Sequence, residues 1–465
     1  MYTILLHIGI GVAASVNRNL MVLYFFAAFG YLVWKVIKEQ DKFLNVLLAA
    51  GYFTGAEVFL RMTKAAPLWE TGKYMVIGFS VLGFLYIGFK KNAVPYVLYL
   101  LLLIPGILVA YDDLSFDLNF RKAVMFNISG PLALSIAAVF CFGRTISFSK
   151  FLKILDYIVY PLIAMTIYII LHTPSNRDIF TSAASNAAAS GGFSGNQVST
   201  VLGLGFFILL TRFFIPYKNL LVHGTMMLFM ALMGYRALLT FSRGGVITGI
   251  ACAVVFIGIY FFVVNIKRKA FVTARVLLIV FGAVALWGAS EARTGGMITN
   301  RYTNKDSLGR EKEDITTVRA DLMEAEIDAF KTNPVFGLGV GRVKGYFEEE
   351  LGNTVATHNE VSRMFSEHGL FGILALLTLI FAPIITKLQG RQNIYFYPFI
   401  LFWLLTIMHS SMRIAAPAFL YALSLLNINY VSEKKSTLRR KQTAQTRAVT
   451  NFGRHPSGTL QERRV

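Results

Sequence analysis

The sequence predicts an all-α polytopic membrane protein with about 12–14 transmembrane helices and one large extramembrane loop. Two observations lead to this fold class. Of the 465 residues, 55% are hydrophobic and only 15% are charged, whereas a soluble domain has about a quarter charged residues. Apolar runs such as 219–239 and 244–264 are also long enough to cross a bilayer, because about 20 helical residues span its hydrocarbon core of about 30 Å.

Thirteen apolar segments are predicted to span the membrane. They are 19–36, 43–60, 73–89, 94–110, 123–141, 153–171, 196–211, 219–239, 243–264, 270–289, 365–386, 395–411 and 413–430. Segment 3–16 is shorter, and we interpret it as a first span, a re-entrant helix or an uncleaved anchor. The cysteines, Cys141 and Cys252, fall inside apolar runs, which favours packing over a disulfide or a zinc site.

The positions of Lys and Arg predict the orientation. Short basic loops alternate along the chain, at 35–42, 89–92, 143–153, 212–219 and 265–275. Because basic loops remain in the cytoplasm, the loops between them are predicted to face outward.

The chain therefore divides into four predicted parts. These are an N-terminal helix bundle (1–289), a large outer loop (290–364), C-terminal transmembrane helices (365–431) and a basic, disordered cytoplasmic tail (432–465). The net charge of +20 lies mainly on the inner face and the tail, where it favours contact with anionic lipid head groups. No basic and aromatic surface accompanies it, so nucleic acid is not an expected partner.

Within the outer loop, TTVRADLMEAEIDAFKTNP (316–334) has the spacing of an amphipathic helix. Its apolar side carries Val318, Leu322, Ala325 and Ala329, widened by Met323, Ile327 and Phe330. The helix is expected to end near Lys331 or Thr332, because a proline follows and the residue before it is biased away from helix. Arg319 shares a stripe with Met323. We therefore expect Arg319 near the boundary of the apolar region, where its partner is either an anionic ligand or an acidic side chain of the loop.

Glycines alternate just after this helix, at Gly337, Gly339 and Gly341. A nucleotide-binding loop needs a strand before its glycines and a helix after them, whereas a helix precedes this run. We predict instead a tight turn that returns the chain to the membrane.

The stretch THNEVSRMFSEHGLFGIL (357–374) opens the next span. Glu360, Arg363 and Glu367 stand at i, i+3 and i+7 and are able to pair with one another. His358 lies just before the helix and is a candidate for proton transfer, because the unperturbed pKa of a histidine side chain lies near neutral pH; a structural role is the alternative. The pattern does not match a zinc motif.

Further cations occur at predicted outer ends of spans. Arg243 follows TFS and precedes Gly244 and Gly245, which allow close approach of backbone or ligand. Arg236 and Arg413 lie on the same side. Such charges either extend to lipid phosphate or face a functional partner, and their convergence suits a phosphate-rich ligand with an apolar part in the bilayer.

The order of these motifs resembles the O-antigen ligase and O-antigen polymerase superfamily of bacterial envelope enzymes. The matching stretches are TFSRGG, VRADLMEAEIDAF, NPVFGLGVG and THNEVSRMFSEHGLFGIL, within residues 200–420. The resemblance implies a membrane-embedded glycosyltransferase of the GT-C type, in the bacterial inner membrane with its active site facing the periplasm. It implies an undecaprenyl-pyrophosphate-linked glycan as donor. The acceptor is the lipid A core in a ligase, another lipid-linked repeat in a polymerase, or a protein.

The resemblance also implies roles for individual residues. Arg243 and Arg319 would hold the pyrophosphate, since guanidinium groups suit phosphate oxygens, and His358 would orient or deprotonate the acceptor hydroxyl. Candidates for substrate binding are Asn359, Arg363, Arg413 and Arg236. No metal or other cofactor is expected, with the acids of YDDL (111–114) as the one possible metal pair. A transporter of the same glycan is the competing class, and its candidate charges, Glu57 and Asp156, lie near span ends.

Overall fold

The computed structural model describes residues 1–113, 118–173, 185–311, 317–351 and 358–430. The tail predicted to be disordered, 432–465, lies outside the described residues, as do the side chains of the YDDL acids.

The described helices follow the hydropathy pattern of the chain. They are α1 (Tyr2–Val16), α2 (Leu20–Lys38), α3 (Lys42–Met62), α4 (Thr71–Ile87), α5 (Val94–Asp113), α6 (Leu118–Cys141), α7 (Phe148–His172), α8 (Gly195–Phe214), α9 (Leu220–Leu239), α10 (Arg243–Val263), α11 (Ile266–Thr294), α12 (Met297–Tyr302), α13 (Thr317–Thr332), α14 (Val343–Leu351), α15 (Glu360–Leu388), α16 (Phe396–Ser410) and α17 (Ala415–Ser424). Two short strands, β1 (Thr145–Ser147) and β2 (Asn427–Asn429), complete the elements.

The predicted all-α, polytopic fold is confirmed. Among the described residues, 10 helices are long and apolar enough to cross a membrane, and α1, α4, α16 and α17 are shorter apolar helices. Each predicted span overlaps one of these helices. A helix suits this solvent because its backbone hydrogen bonds are all internal.

The last predicted span, 413–430, differs from the structure. Its helix, α17, has 10 residues, which at about 1.5 Å per residue is too short to cross alone. All of those residues are buried, so α17 contacts protein rather than lipid, and bilayer thickness does not set its length. The predicted boundary between 364 and 365 also falls inside a helix, since α15 begins at Glu360.

Helices α3 and α8 form the centre of the bundle, and α11 lies at its edge. In the most apolar stretch of each helix, 94% of the residues are buried in α3 and 89% in α8, whereas 6% are buried in α11. Small residues allow the central helices to approach closely. A Cβ on Gly203 of α8 would lie 2.4 Å from the carbonyl oxygen of Gly245 in α10.

The loops predicted to be cytoplasmic meet on one face, which we call the basic face. The strands β1 and β2 pair there in parallel. Lys90 Nζ donates to the carbonyl of Gly143 at 2.7 Å, and Lys150 pairs with Asp41 at 3.0 Å. The predicted alternation of loops is therefore consistent with the structure. The opposite helix ends, at Arg61, Thr240, Glu360 and Ser410, form what we call the outer face.

Candidate active site

Arg243 begins α10 at the outer face. The turn before it is tight, because Phe241 has a φ of 56° and its carbonyl accepts a hydrogen bond from Arg301 Nε at 2.8 Å. The buried ion pairs of the described residues all involve other cations. The Arg243 guanidinium therefore carries a charge that no carboxylate of the described residues pairs with.

The glycines after Arg243 serve helix packing. A Cβ on Gly244 would lie 2.5 Å from the His409 ring, and one on Gly245 would lie 2.3 Å from the backbone of Ser199. The predicted close approach is therefore made by protein, and it seats the start of α10 against α8 and α16. Both ring nitrogens of His409 form hydrogen bonds. Nε2 lies 3.2 Å from Thr200 Oγ1, and Nδ1 lies 2.7 Å from a carbonyl oxygen of its own helix.

His358 reaches the same end of α16. Its carbonyl accepts a hydrogen bond from the Ser411 amide at 3.0 Å, two residues beyond the His409 that contacts Gly244. Arg243 and His358, which are far apart in sequence, are thus joined through one helix end.

Asn359 caps the helix that follows His358. Its side-chain oxygen accepts a hydrogen bond from the Val361 amide at 2.9 Å, which is the usual role of asparagine at this position. Its predicted substrate contact remains a prediction.

Arg363 lies in a buried carboxylate pair. It forms ion pairs with Glu360 and with Glu367, the latter at 2.5 Å, and its side chain is 3% exposed. The predicted pairing of these residues is confirmed. Arg363 therefore has its anionic partners within the protein, and a substrate contact is a secondary expectation.

Glu367 also holds the glycine turn, because its Oε1 accepts a hydrogen bond from the Gly341 amide at 2.8 Å. Gly337, Gly339 and Gly341 all have positive φ, at 73°, 94° and 84°. A Cβ on Gly337 would lie 2.4 Å from the Glu367 carbonyl carbon, and one on Gly339 would lie 2.8 Å from the Ala110 nitrogen. The interpretation as a tight turn, inserted between α5 and α15, is confirmed.

The turn meets α15 where that helix breaks. Gly369 has φ 59° and ψ −137°, which are not helical values, and the next amide, of Leu370, donates to the Pro334 carbonyl at 2.8 Å. The outer segment of α15, which carries the Arg363 cluster, is thus separated from the membrane span that follows.

Arg319 lies in the first turn of α13, and its side chain is outside the described residues. The predicted end of this helix, at Thr332, is confirmed. Its buried side includes Leu322 and Ala329, whereas Met323 is 43% exposed. The predicted apolar stripe therefore faces the protein only in part.

Arg236 and Arg413 have different surroundings. Arg236, in the last turn of α9, is half-buried and reaches only the Ile170 carbonyl at 3.4 Å among the described residues. Arg413 lies over the Phe126 ring at 5.9 Å and interacts electrostatically with Glu360. Of these two, Arg413 belongs with the carboxylates.

An apolar cavity of about 580 Å³ lies between α8, α9, α10 and α11. Its walls include Met230, Ile250 and Leu286, and Tyr302 of α12 closes its outer end. Burial raises the pKa of Tyr302 to about 12, although the positive charges of Arg243 and Arg301 oppose the rise. The wall of the cavity therefore includes a neutral hydroxyl that interacts electrostatically with Arg243.

Comparison with known families agrees with this arrangement. Residues 228–377 match the family described as O-antigen ligase. We call residues 228–377 the O-antigen ligase domain, after the family that they match. A search of curated proteins found no match. The O-antigen ligase domain runs from α9 into α15, so it includes Arg236, Arg243, Arg319 and His358.

A second buried charge cluster lies outside the O-antigen ligase domain, in α3 and α4. Arg61 pairs with Glu57 at 2.6 Å and with Glu70 at 3.7 Å, and Lys73 pairs with Glu70. Sequence reasoning noted only Glu57. The spacing in the sequence could have indicated this cluster, because Glu57 and Arg61 stand at i, i+4 and Glu70 and Lys73 stand at i, i+3.

Within the described residues, no group of three or more His, Cys, Asp or Glu is placed to hold a metal ion. The O-antigen ligase domain has the cations Arg236 and Arg243 and the histidine His358 at its outer face.

Proposed function

We propose that this protein is a glycosyltransferase that moves a glycan from undecaprenyl pyrophosphate to a hydroxyl of the lipid A core, on the periplasmic face of the bacterial inner membrane. The observation that carries this proposal is Arg243, a cation without a carboxylate partner in the described residues, which interacts electrostatically with Tyr302 of the wall of a cavity of about 580 Å³. A lipid pyrophosphate has the matching composition, with an anionic head and a long apolar chain.

Arg243 would bind the pyrophosphate through paired N–H groups, and Arg319 would supply a second guanidinium. Negative charge grows on the pyrophosphate as the sugar leaves. Fixed cations in a site shielded from water stabilise that developing charge more than they stabilise the bound substrate, and such groups contribute about 3–4 kcal/mol. The half-buried Arg236 adds positive potential on the same side.

His358 would act on the acceptor. The acceptor oxygen bonds to the anomeric carbon, the bond from that carbon to the pyrophosphate oxygen breaks, and the acceptor proton passes to the imidazole. A general base in this position contributes about 10²–10⁴ in rate. The contacts through Gly244, His409 and Ser411 support a shared reaction centre for Arg243 and His358.

The paired state of Glu57 supports an enzyme over a transporter of the same glycan. A transporter needs charges that meet its cargo near mid-membrane. Glu57 instead pairs with Arg61 at 2.6 Å and accepts a hydrogen bond from the Ala415 amide.

The test is the lipopolysaccharide profile of a strain that lacks this protein. We expect loss of all capped chains, with free polymer accumulating on its lipid carrier. Caps of a single repeat unit would indicate a polymerase instead, and an unchanged profile would contradict the proposal and direct the search to protein acceptors.

A further inference from the structure

The turn between α16 and α17 is held by charged side chains from the N-terminal bundle. Arg61 Nη1 donates to the Arg413 carbonyl at 3.0 Å, and Lys73 Nζ donates to the Met412 carbonyl at 3.2 Å. The Ala415 amide donates to Glu57 Oε2 at 2.5 Å. Three polar groups of this backbone, within four residues, thus depend on α3 and α4.

The same turn contains a strained residue. Ser411 has φ 50° and ψ −164°, a conformation close to one that essentially only glycine adopts. A residue keeps such a conformation only where its surroundings fix it. The Ser411 amide donates to the His358 carbonyl at 3.0 Å, so the strained residue is the one that contacts the candidate base.

Arg61 uses its whole guanidinium in this arrangement. Nε donates to the Trp69 carbonyl at 2.7 Å, Nη1 donates to Gln197 at 2.9 Å as well as to the turn, and Nη2 pairs with Glu57. A lysine would keep the charge but would lack the planar fork that makes these contacts simultaneously.

The two buried clusters balance in charge. Their carboxylates are Glu57, Glu70, Glu360 and Glu367, and their cations are Arg61, Lys73, Arg363 and Arg413. Arg413 interacts electrostatically with both Glu70 and Glu360, so it connects the clusters. Burying charge at this density is tolerated only when each group is paired. The network is therefore a rigid support, and Arg243 is not part of its ion pairs.

We propose that Arg61, supported by Glu57 and Lys73, is a positioning residue for glycosyl transfer. Arg61 fixes the turn at 411–414, and this turn holds His358 in position. This inference rests on the proposed function. It assigns a part in the reaction to the N-terminal bundle, which lies outside the O-antigen ligase domain at 228–377.

The test compares Arg61→Lys with Arg212→Lys. Arg212 is a matched control, because it forms a buried ion pair with Asp156 at 3.4 Å but lies at the basic face. Each purified full-length variant is assayed with undecaprenyl-pyrophosphate-linked O-antigen and lipid A core. A shift of about 1 Å at a reacting group costs on the order of 10²-fold in rate. We expect kcat to fall about 10- to 100-fold in Arg61→Lys, with KM for the donor within about twofold of wild type, and little change in Arg212→Lys.

A coupling measurement separates positioning from general destabilisation. In a His358→Gln background, Arg61→Lys should reduce kcat by less than about twofold further, because residues that act as a unit are not additive. The inference would be overturned if the two losses in kcat multiplied in the double variant. It would also be overturned if Arg61→Lys alone had the wild-type kcat. If Arg61→Lys does not fold, Glu57→Gln is measured in its place with the same expectations. Absence of transfer by the wild type would overturn the proposed function, and this inference with it.

Discussion

Two arginine sites at the outer face, around Arg363 and around Arg243, look alike in sequence and differ in structure. Arg363 is buried between Glu360 and Glu367. Arg243 is half-buried and interacts electrostatically with Tyr302, which lines an apolar cavity. The partner, rather than the cation, therefore distinguishes a structural charge from one available to a ligand.

The largest effect is expected at His358, which is connected to the Arg243 site. His358→Ala should remain in the membrane, and its transfer rate should fall by a factor of about 10²–10⁴, because no base is left to accept the proton of the acceptor hydroxyl. Arg319→Ala should also remain in the membrane and lose transfer. Rates are measured on purified protein with lipid-linked glycan. Full activity in both variants would remove these residues from the site.

The next effect separates the two arginines directly. Arg363→Ala should lower the free energy of unfolding by about 3–5 kcal/mol, because it leaves two buried carboxylates without their cation. Arg243→Ala should lose transfer activity while its unfolding temperature stays close to that of the wild type. Thermal unfolding in detergent, measured beside the transfer rate, checks both. Equal destabilisation by the two substitutions would contradict the distinction.

A smaller effect is expected in the turn that supports the Arg363 cluster. Gly337→Ala brings a Cβ to 2.4 Å from the Glu367 backbone, whereas Gly295, also at positive φ, has nothing within 4 Å. Gly295→Ala should cost about 1–2 kcal/mol from the backbone conformation alone. Gly337→Ala should cost more, since the backbone must also move. Similar unfolding temperatures for the two variants would indicate that the turn is not tightly packed.

The smallest effect concerns the cavity beside Arg243. Gly282 lines the cavity and Gly258 does not, and a Cβ meets nothing within 4 Å at either position. Gly282→Phe should raise KM for the donor roughly tenfold, a size typical of altered apolar contacts, with kcat retained. Gly258→Phe should leave both constants near their wild-type values. An unchanged KM in Gly282→Phe would place the lipid chain elsewhere.

Much of the fold follows from the sequence, because hydropathy and loop charge specify helices in lipid. The short length of α17 did not follow from the sequence, because it depends on burial among other helices. The strands β1 and β2 have three residues each, which is too few for a periodic signal.

The candidate site was predictable where its partners are close in sequence. The spacing of Glu360, Arg363 and Glu367 indicated their pairing, and the alternating glycines indicated the turn. The role of Arg61 was not predictable, because it contacts the Arg413 carbonyl 352 positions away. Contacts of that kind depend on tertiary packing, which hydropathy does not encode.

The most direct test of the central claim is binding of undecaprenyl pyrophosphate to the purified protein. Arg243→Gln removes a charged hydrogen-bond donor, whose contribution of about 1.5–3 kcal/mol corresponds to at least a tenfold weaker Kd. Arg212→Gln, at the basic face, serves as the control. We predict that Arg243→Gln weakens binding tenfold or more and that the control does not. Equal affinity of wild type and Arg243→Gln would contradict the assignment of Arg243 as the pyrophosphate-binding residue.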